Sequence, residues 1–379
     1  MKELRFGIIG LGLMGREFAS LSARWFHLLD MNVKPVIVAV CDTNEKAIPW
    51  FKDNLPSINF TTTNYKELLA RDDIDAIYCA VPHNLHEKFY TDIIKAGKHL
   101  LGEKPFGIDK SANDAINKVI AEHPNVLVRC SSEFPFFPGS TEVIKAIREN
   151  SFGRIIEVEA GLLHSSDMNP TKPLNWKRTI HMNGEYGCMG DLGMHVVHIP
   201  ARFNWKPQNI SARLSNIVTE RPDGKGNIVP CETWDNATIT GDVAHDGYMF
   251  PITLHTKRIA PSETNTWFIK VLGMKRSMEF SSKYPKTLKI LDYNGGVQAW
   301  QHIDLGYTPP YNTITGNIFE FSFSDSLLQM FAAFCDEAAN GRKNMKQPFY
   351  CATPEEAAES HRIFTESLEY HKKKESNEQ

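Results

Sequence analysis

Three side chains of this sequence have the types and the spacing needed to move a proton at a hydroxyl group. Lys104 stands between Glu103 and Pro105 after a short apolar run, and Asp191 precedes His195 by four residues. Residues four apart share a face on a helical turn, so the carboxylate can orient the imidazole and stabilise its charged form. Loss of a hydroxyl proton together with hydride from the same carbon requires a base and a cation within ~3 Å of one oxygen. Lysine and histidine fit these roles, although each pattern taken singly is also common on protein surfaces.

A glycine-rich turn near the N-terminus fits a dinucleotide. The sequence GLGLMG at residues 10–15 follows an apolar run and precedes a helix. Its glycines permit a tight turn and close approach to a pyrophosphate, while the free N–H groups of the helix start attract phosphate. The same spacing also occurs in turns that serve packing alone. The expected cofactor contacts in this turn are Gly10, Gly12, Leu13 and Met14.

Asp42 ends the next apolar run, which covers residues 36–41. A carboxylate at this position can accept both ribose hydroxyls of NAD and would repel the 2′-phosphate of NADP. The separation from Gly15 exceeds the usual ~20 residues, so the first crossover must contain a longer helix and a loop. The alternative is a solvated turn or helix cap at the strand end. With the glycine turn, Asp42 predicts NAD as the cofactor.

The elements that must position these residues change in character along the chain. Apolar strands alternate with amphipathic helices up to about residue 130, which predicts an N-terminal Rossmann domain, a doubly wound parallel sheet, over residues 1–130. Segments that alternate polar and apolar residues follow, at 155–164 and again between 210 and 303. Residues 131–379 are therefore expected to form an α+β domain with a large open, mostly antiparallel sheet, whose last helices could pack back on the first domain.

Composition narrows the class of partner. The 379 residues carry a net charge of −3 without a basic tract, which argues against nucleic acid. No run approaches the ~20 apolar residues of a membrane span, and the chain enters a strand without an apolar leader. Seven cysteines without a CxxC pair are typical of a reducing compartment. We expect a cytoplasmic protein that acts on a small molecule.

With these residues in order, the chain resembles the glucose-fructose oxidoreductase / inositol dehydrogenase / MocA-like (Gfo/Idh/MocA) family of NAD(P)-dependent enzymes, over nearly its whole length. The matching features are the glycine turn at residues 10–15, Asp42, the Pro-His-Asn-Leu-His turn at 82–86, Glu-Lys-Pro at 103–105, Gly-Asp-Leu-Gly-Met-His at 190–195, and the closing helices with Ala333-Phe334 and residues 354–357.

The resemblance implies a role for each of these residues. Lys104 would contact the substrate hydroxyl, His195 would transfer the proton, and Asp191 would bind and orient the substrate. It further implies that the second domain pairs its sheet with another subunit, so that a homo-oligomer, a dimer or a tetramer, forms. On the cofactor side it implies contacts from Pro82, His83, His86, Glu103 and Lys104.

Two departures from the family leave the substrate open. Where relatives often carry an acid three residues after the histidine, this chain has His198. Asp191, His195 and His198 have metal-ligand types at helical spacing, but the family needs no metal, and we expect a buried or hydrogen-bonded His198 and no metal site. Residues 131–138 read SSEFPFFP in place of a turn with Asn and Arg that faces the substrate in relatives.

The segment before Asp191 supplies further candidates for substrate binding. Trp176 offers a flat apolar face to a sugar ring, while Lys177, Arg178 and His181 gather positive charge suited to a carboxylate, phosphate or sulfonate. An ordinary exposed basic loop is the alternative.

Three functions fit the sequence. The leading hypothesis is an NAD-dependent oxidoreductase that acts on a ring hydroxyl of a sugar, sugar derivative or cyclitol. The first alternative is an NAD-dependent glycosidase that oxidises a ring carbon transiently and recycles its cofactor, with an anionic glycoside such as a sulfoquinovoside as one option. It needs a further acid or base, for which Tyr186, His181 and His198 are candidates. The second alternative is a non-enzymatic dinucleotide sensor.

Overall fold

The computed structural model describes residues 1–305, 310–316, 319–347 and 349–378. The chain divides into two compact units. The first unit contains residues 1–107, 111–136 and the described residues between 310 and 354. The second contains residues 108–110 and 137–305 together with the C-terminal segment from 355. Residues after 310 therefore return to the first unit before the chain enters the second again.

The first unit is a doubly wound α/β fold, and the predicted parallel sheet is confirmed. Its six strands lie in the order β3-β2-β1-β4-β5-β6, and all are parallel. The elements of its N-terminal part are β1 (Lys2–Ile9), α1 (Leu13–Ala23), β2 (Val33–Cys41), α2 (Ile48–Asn54), β3 (Phe60–Thr62), α3 (Tyr65–Leu69), β4 (Ala76–Cys79), α4 (His86–Lys95), β5 (His99–Gly102), α5 (Lys110–Glu122) and β6 (Val128–Cys130).

Strand order reverses between β1 and β4, which are neighbours at the centre of the sheet. Because all six strands are parallel, their carboxyl ends meet at one edge, and the loops after them open there. A crevice at this reversal is where doubly wound sheets bind dinucleotides. The glycine turn after β1, Asp42 after β2 and Lys104 after β5 all lie at this edge.

The second unit contains the larger sheet and two long helices, one of which is buried over most of its length. After α6 (Pro138–Arg148), its elements are β7 (Ile155–Leu163), α7 (Ile180–Asn183), α8 (Cys188–Arg202), β8 (Pro207–Ser215), β9 (Glu220–Pro222), β10 (Ile228–Pro230), β11 (Asn236–His245), β12 (Tyr248–Lys257), β13 (Thr266–Gly273), β14 (Arg276–Ser281), β15 (Thr287–Asp292) and β16 (Gln301–Asp304). Helix α9 (Phe323–Asn340) belongs to the first unit, and α10 (Pro354–Glu378) closes the second.

Eight strands form the main sheet in the order β16-β15-β14-β13-β7-β12-β11-β8, and β9 pairs with β10 separately. The neighbours are antiparallel except β7 and β12, whose parallel register pairs Leu163 with Lys257. The predicted open and mostly antiparallel sheet is confirmed. The one parallel pair matters for the site, because the residues that follow β7 and β12 emerge at the same edge.

Helix α9 completes the core of the first unit. Phe331 contacts Phe6 of β1, Phe18 of α1 and Trp25, with ring centroids 5.3, 4.4 and 5.5 Å apart. Phe18 in turn stacks on Tyr78 of β4 at 4.1 Å. Burial of each such side chain stabilises the fold by roughly 1.5–3 kcal/mol, so this cluster fixes α1 and its N-terminus against the sheet.

Helix α8 is buried from Cys188 to Pro200, because it packs between the main sheet and α10. On the sheet side, the indole of Trp267 donates a hydrogen bond to the carbonyl of His195 at 2.9 Å. On the other side, Gly193 leaves room for Phe364, since a Cβ at this glycine would come within 2.2 Å of the Phe364 ring. In the described part of the chain, no helix combines the length and apolar character of a membrane span.

Candidate active site

The three glycines in the turn after β1 are required for different physical reasons. Gly10 has φ +93°, and a Cβ there would lie 2.4 Å from the carbonyl oxygen of Ala80. A Cβ on Gly15 would lie 2.3 Å from the carbonyl oxygen of Gly10. Around Gly12, by contrast, a Cβ would meet no described atom within 4 Å. Packing therefore explains why residues 10 and 15 are glycine, but it does not explain why residue 12 is glycine.

Gly12 is also the N-cap of α1, so its open side faces the start of a helix. Among the described residues, no side chain caps this helix, and its first turn contains no acid. The N–H groups of Leu13 and Met14, which have no intrahelical acceptor because of their place in the first turn, are thus left to bind phosphate. A dinucleotide fits this surface, since its pyrophosphate would occupy the space that a side chain at position 12 would fill.

Asp42 ties the glycine turn to the end of β2. One carboxylate oxygen accepts a hydrogen bond from the N–H of Leu11 at 2.7 Å, and the other accepts one from the N–H of Asn44 at 2.8 Å. A carboxylate can accept about four hydrogen bonds, so each oxygen retains a lone pair for a ribose hydroxyl. Asp42 can therefore orient the turn and bind an adenosine ribose at the same time.

The turn at residues 82–86 lies after β4 at the same edge. His86 is fully buried, and its ring bridges two loops: Nε2 lies 3.1 Å from the carbonyl oxygen of Val81, and Nδ1 accepts the N–H of Gly107 at 3.3 Å. This pair of contacts fits the neutral tautomer with the proton on Nε2. His86 thus holds the loop after Lys104 in place, while Pro82 and the buried His83 cover the end of β4.

Lys104 is fixed by the residues on both sides of it. The carboxylate of Glu103 accepts a hydrogen bond from Tyr78 at 2.6 Å, and the Glu103 carbonyl accepts one from Tyr90 at 2.7 Å. On the other side, the Lys104–Pro105 peptide bond is cis, which the sequence allows at such a strand end. Because two buried tyrosines anchor Glu103, the backbone of Lys104 has a defined position at the carboxyl edge of the sheet.

In the second unit, Asp191 and His195 lie one turn apart in α8, and both are buried. Asp191 is held by two cations. Lys177 Nζ lies 2.7 Å from Oδ1, and Arg258 Nη1 forms an ion pair with Oδ2. Both oxygens of the carboxylate are therefore engaged by positive charge, and its position in the first turn of α8 adds a favourable interaction with the helix dipole.

Arg258 is a residue of this cluster that the sequence reasoning missed. It follows β12 directly, and its Nε donates to Asp167 Oδ2 at 2.8 Å. Asp167 lies in the loop after β7, the parallel neighbour of β12, so the pairing of these two strands brings the residues together. The carboxylates of Asp167 and Asp191 hold the pKa of the Arg258 guanidinium above its usual value in spite of burial. An arginine directly after an alternating strand was the signal available in the sequence.

His164 is a second residue that the sequence reasoning missed. It ends the same β7 segment, and its Nδ1 lies 3.0 Å from the carbonyl oxygen of Thr264, so Nδ1 carries the proton. Burial lowers the pKa of His164; the charge of Asp191 opposes this shift, while Arg258 and Lys177 add to it. The imidazole is therefore neutral at pH 7, and its Nε2 can accept a hydrogen bond.

The two neighbouring cations in the loop before Asp191, Lys177 and Arg178, bind different carboxylates. Lys177 turns to Asp191 and lies 5.7 Å from the centroid of the Trp176 ring. Arg178 is instead fully buried, with Nη1 2.6 Å from Asp235 and Nη2 donating to the Val218 carbonyl at 3.2 Å. Trp176 is half-buried and His181 is exposed. The structure thus joins Trp176, Lys177 and Asp191, and directs Arg178 into the interior of the unit.

Two of the three candidates for an extra acid are engaged inside the second unit. Tyr186 forms a hydrogen bond with Thr365 at 2.7 Å. His198 lies 2.8 Å from Arg202 and 3.4 Å from Glu356, so it is buried and hydrogen-bonded as expected. Within the described ranges, no group of three or more His, Cys, Asp and Glu residues could hold a metal ion.

The parallel sheet, the glycine turn and Asp42 together define an NAD-binding Rossmann domain. Residues 4–129 match the model of the oxidoreductase family with an NAD-binding Rossmann fold, GFO_IDH_MocA. Through this match, residues 4–129 have the NAD-binding domain of the Gfo/Idh/MocA oxidoreductases, and the resemblance stated from the sequence is confirmed for this domain.

Comparison with known proteins adds two curated relatives and a solved structure. The chain is 24% identical over 223 residues to levoglucosan dehydrogenase of Pseudarthrobacter phenanthrenivorans, covering 59% of this chain and 56% of that protein. It is 28% identical over 183 residues to glycosyl hydrolase family 109 protein 1 of Shewanella sp. (strain ANA-3), covering 43% and 36%. The chain thus spans less than two thirds of the length of these relatives. The structure of levoglucosan dehydrogenase in complex with NADH and L-sorbose superimposes with a TM-score of 0.85 at 19% identity over 98% of both chains, which shows a shared fold.

A pair of glycine variants tests the nucleotide surface. We expect Gly12→Ala to leave the free energy of unfolding nearly unchanged, because its methyl group meets no described atom, but to weaken NAD binding by at least about tenfold by filling the pyrophosphate space. Gly15→Ala should instead destabilise the protein by ~1–3 kcal/mol, because its methyl group clashes with the Gly10 carbonyl. Urea unfolding and NAD titration separate the two effects. Unchanged NAD affinity in Gly12→Ala would contradict the assignment.

A second pair of variants tests the clamp on Asp191. Arg258→Ala leaves two buried carboxylates without their shared cation, and we expect a loss of about 3–5 kcal/mol in the free energy of unfolding of the second unit. Lys177→Ala is the matched control: its side chain is 33% exposed, so its loss should cost less than about 1 kcal/mol. Urea unfolding followed by tryptophan fluorescence measures both. Equal, small losses would show that Arg258 does not hold the cluster together.

Proposed function

We propose that the protein is an NAD-dependent oxidoreductase that transfers a hydride between a ring carbon of a sugar, sugar derivative or cyclitol and the nicotinamide. The observation that carries this proposal is a lysine fixed at the carboxyl edge of the NAD-binding sheet. Lys104 is the second residue after β5, and the anchored Glu103 before it gives the lysine backbone a defined position in the NAD-binding unit. A pure dinucleotide sensor would have no use for a positioned lysine there.

In this proposal, Lys104, His195 and Asp191 have different roles in proton transfer. Lys104 would donate a hydrogen bond to the reacting hydroxyl and stabilise negative charge as it develops on that oxygen. His195 would accept the hydroxyl proton, since an imidazole titrates near neutral pH. Asp191, already neutralised by Lys177 and Arg258, would orient the substrate rather than act as the base, because two cations disfavour its protonation. NAD, held by Gly10, Gly12, Leu13, Met14 and Asp42, would supply the hydride acceptor.

A carbohydrate is the substrate class that these groups support. Trp176 presents a ring face beside Lys177, and flat apolar rings pack well against sugar rings. Levoglucosan dehydrogenase, a relative with the same fold, acts on levoglucosan, as its name states. Arg178 is buried against Asp235 and Lys177 is paired with Asp191, so two of the three residues predicted to bind an anion already have internal partners. We therefore propose that the substrate is a neutral sugar, and an anionic sugar is the alternative substrate to be tested.

A homo-oligomer through the main sheet of the second unit also remains a proposal. Two apolar side chains of the main sheet, Ile156 on β7 and Met249 on β12, are 47% and 48% exposed. Apolar side chains on an open sheet face favour association with a second face of the same kind. The cytoplasmic location stays a prediction from the cysteine usage.

The second candidate function is the NAD-dependent glycosidase, and the relative from glycosyl hydrolase family 109 is the observation that favours it. That reaction needs one more acid or base, to remove the proton next to the oxidised carbon and to assist the leaving group. Tyr186 and His198 form hydrogen bonds inside the second unit. Of the three candidates, His181 is the one with an exposed side chain. We rank this function second for that reason.

Substitution of the proposed proton-transfer residues tests the roles directly. Lys104→Ala and His195→Ala should each lower kcat by ~10²-fold or more, because each removes a group that acts on the reacting hydroxyl. The NAD dissociation constant should change by less than about threefold in His195→Ala. Lys118→Ala and His302→Ala, both exposed and outside the proposed site, are the matched controls. Near-normal turnover in either active-site variant removes that residue from the mechanism.

The fate of the reducing equivalents separates the two candidate functions. The protein is incubated with NAD and either free sugars (levoglucosan, glucose, glucose 6-phosphate and myo-inositol) or aryl glycosides of neutral and sulfonated sugars. A dehydrogenase forms one NADH for each substrate oxidised and stops when NAD is exhausted. A glycosidase releases aglycone through many turnovers without net NADH. Absorbance of NADH and aglycone, followed together, should show NADH formation with a free sugar; aglycone release without NADH would overturn our ranking.

A further inference from the structure

Two buried carboxyl groups lie after neighbouring strands of the NAD-binding sheet. Glu103 follows β5 and is 8% exposed, while Glu133 comes three residues after β6 and is 4% exposed. The two strands pair in parallel with Gly102 opposite Cys130, and the N–H of Ser131 donates to the Gly102 carbonyl at 2.8 Å. This register delivers both carboxyl groups to the edge at which Lys104 emerges. The proposed mechanism makes no use of Glu133.

Charged and titratable groups on two neighbouring elements bear on this pair. From β4, Tyr78 donates to Glu103 at 2.6 Å and stays protonated, because burial raises the pKa of its hydroxyl. Helix α9 packs on the turn that follows Glu133, but its acids have other partners: Glu337 binds Arg129 and Arg342. Asp336 and Asp325 of the same helix bind Tyr311 and Arg24. Glu103 and Lys104 are the neighbouring charges whose effect on Glu133 the structure defines.

Burial is the largest influence on Glu133 and raises the pKa of its carboxyl to about 8. The negative charge of Glu103 adds to this shift, and the positive charge of Lys104 opposes it. The side chain therefore carries its proton at pH 7 and loses it in mildly alkaline solution. Ionisation of Glu133 adds one negative charge beside Glu103 and Lys104, on a residue that is 4% exposed.

The position of this charge in the sheet indicates which half of the cofactor it faces. In a doubly wound sheet the dinucleotide lies across the strand reversal, here between β1 and β4. Asp42 marks the β2 side as the adenosine half. The ends of β4, β5 and β6 are on the other side of the reversal, where the nicotinamide half belongs. Glu133 is thus on the nicotinamide side, where the ring is cationic in NAD and neutral in NADH.

We propose that Glu133 is an electrostatic positioning residue that couples the choice between NAD and NADH to pH: its ionised form stabilises the cationic ring of NAD, and its protonated form does not. Unit charges in a partly shielded interior interact strongly enough to change relative affinity on the order of tenfold. The inference rests on the proposed function and deepens it, since it favours binding of NAD over NADH in alkaline solution, but its test requires only nucleotide binding.

The test is a set of dissociation constants for NAD, NADH and ADP-ribose at pH 6 and pH 9, measured by calorimetry on the full chain. For the wild type, the ratio of the NADH constant to the NAD constant should rise on the order of tenfold between the two pH values. ADP-ribose lacks the nicotinamide ring and should not follow the NAD change. In Glu133→Gln, which is isosteric and never ionises, the ratio should stay constant, whereas Glu133→Asp should retain the dependence.

A stability measurement checks independently that Glu133 is the group that titrates. A carboxyl whose pKa is raised on folding stabilises the protein below the unfolded pKa, and that stability is lost as pH rises through the folded value. The wild-type Tm should therefore fall more between pH 5 and pH 9 than the Tm of Glu133→Gln. If Glu133→Gln does not fold, loss of the buried carboxylic-acid band in the infrared spectrum of the wild type over the same range provides the same check.

A ratio that is independent of pH in the wild type overturns the proposal, and so does an unchanged pH dependence in Glu133→Gln. Failure of the proposed sugar oxidation would look different. In that case no sugar would reduce NAD, while the binding ratio would still follow pH as described.

Discussion

Parallel strands deliver the residues that follow them to one edge of a sheet, and both units depend on this constraint. In the first unit, six parallel strands bring the glycine turn, Asp42 and Lys104 to a common edge, although 94 positions separate Gly10 from Lys104 in the sequence. In the second unit, the one parallel pair, β7 with β12, brings Asp167 next to Arg258. The antiparallel neighbours of that pair could not place two strand ends together in this way.

Electrostatics then decides which of these groups remain available for chemistry. Asp191 sits between Lys177 and Arg258, and Arg178 sits against Asp235. A buried charge is tolerated only when an opposite charge and hydrogen bonds compensate for lost hydration. The ion pairs of Asp191 and Arg178 provide this compensation. In the proposed mechanism, Asp191 is therefore a fixed acceptor of hydrogen bonds and not the base, and the proton is assigned to His195 and Lys104.

Much of the fold was predictable because its signals are local. The continuous apolar runs before Gly10 and Asp42 indicated parallel strands buried on both faces, and the alternation after residue 155 indicated the antiparallel sheet. The short strand β3 and the parallel pairing of β7 with β12 were not predicted, since three residues carry too little pattern and register depends on which distant strand is the neighbour. That the last helices could pack back on the first domain was stated from the sequence; the contacts of Phe331 with Phe6 and Phe18, which assign α9 to the first unit, are not encoded locally.

Some residues of the candidate site could likewise be predicted from local sequence, and others could not. Residues inside compact motifs, such as Gly10, Gly12 and the Asp191/His195 pair, could be named from spacing. Arg258, His164 and Glu133 could not, because each becomes part of a cluster only through strand pairing or burial. Arg178 illustrates the converse: a basic residue next to Lys177 in the sequence points the opposite way, since adjacent residues in a 3-10 turn face different directions.

The central claim is that hydrogen leaves a ring carbon of a carbohydrate as hydride and arrives at the nicotinamide. Levoglucosan and glucose deuterated at every ring carbon, incubated with NAD and the protein, test it through the mass of the recovered nucleotide. Our account predicts that one deuterium enters the nicotinamide ring of NADH for each sugar oxidised, and that Lys104→Ala and His195→Ala suppress this transfer. Oxidised sugar formed alongside unlabelled nucleotide would contradict it.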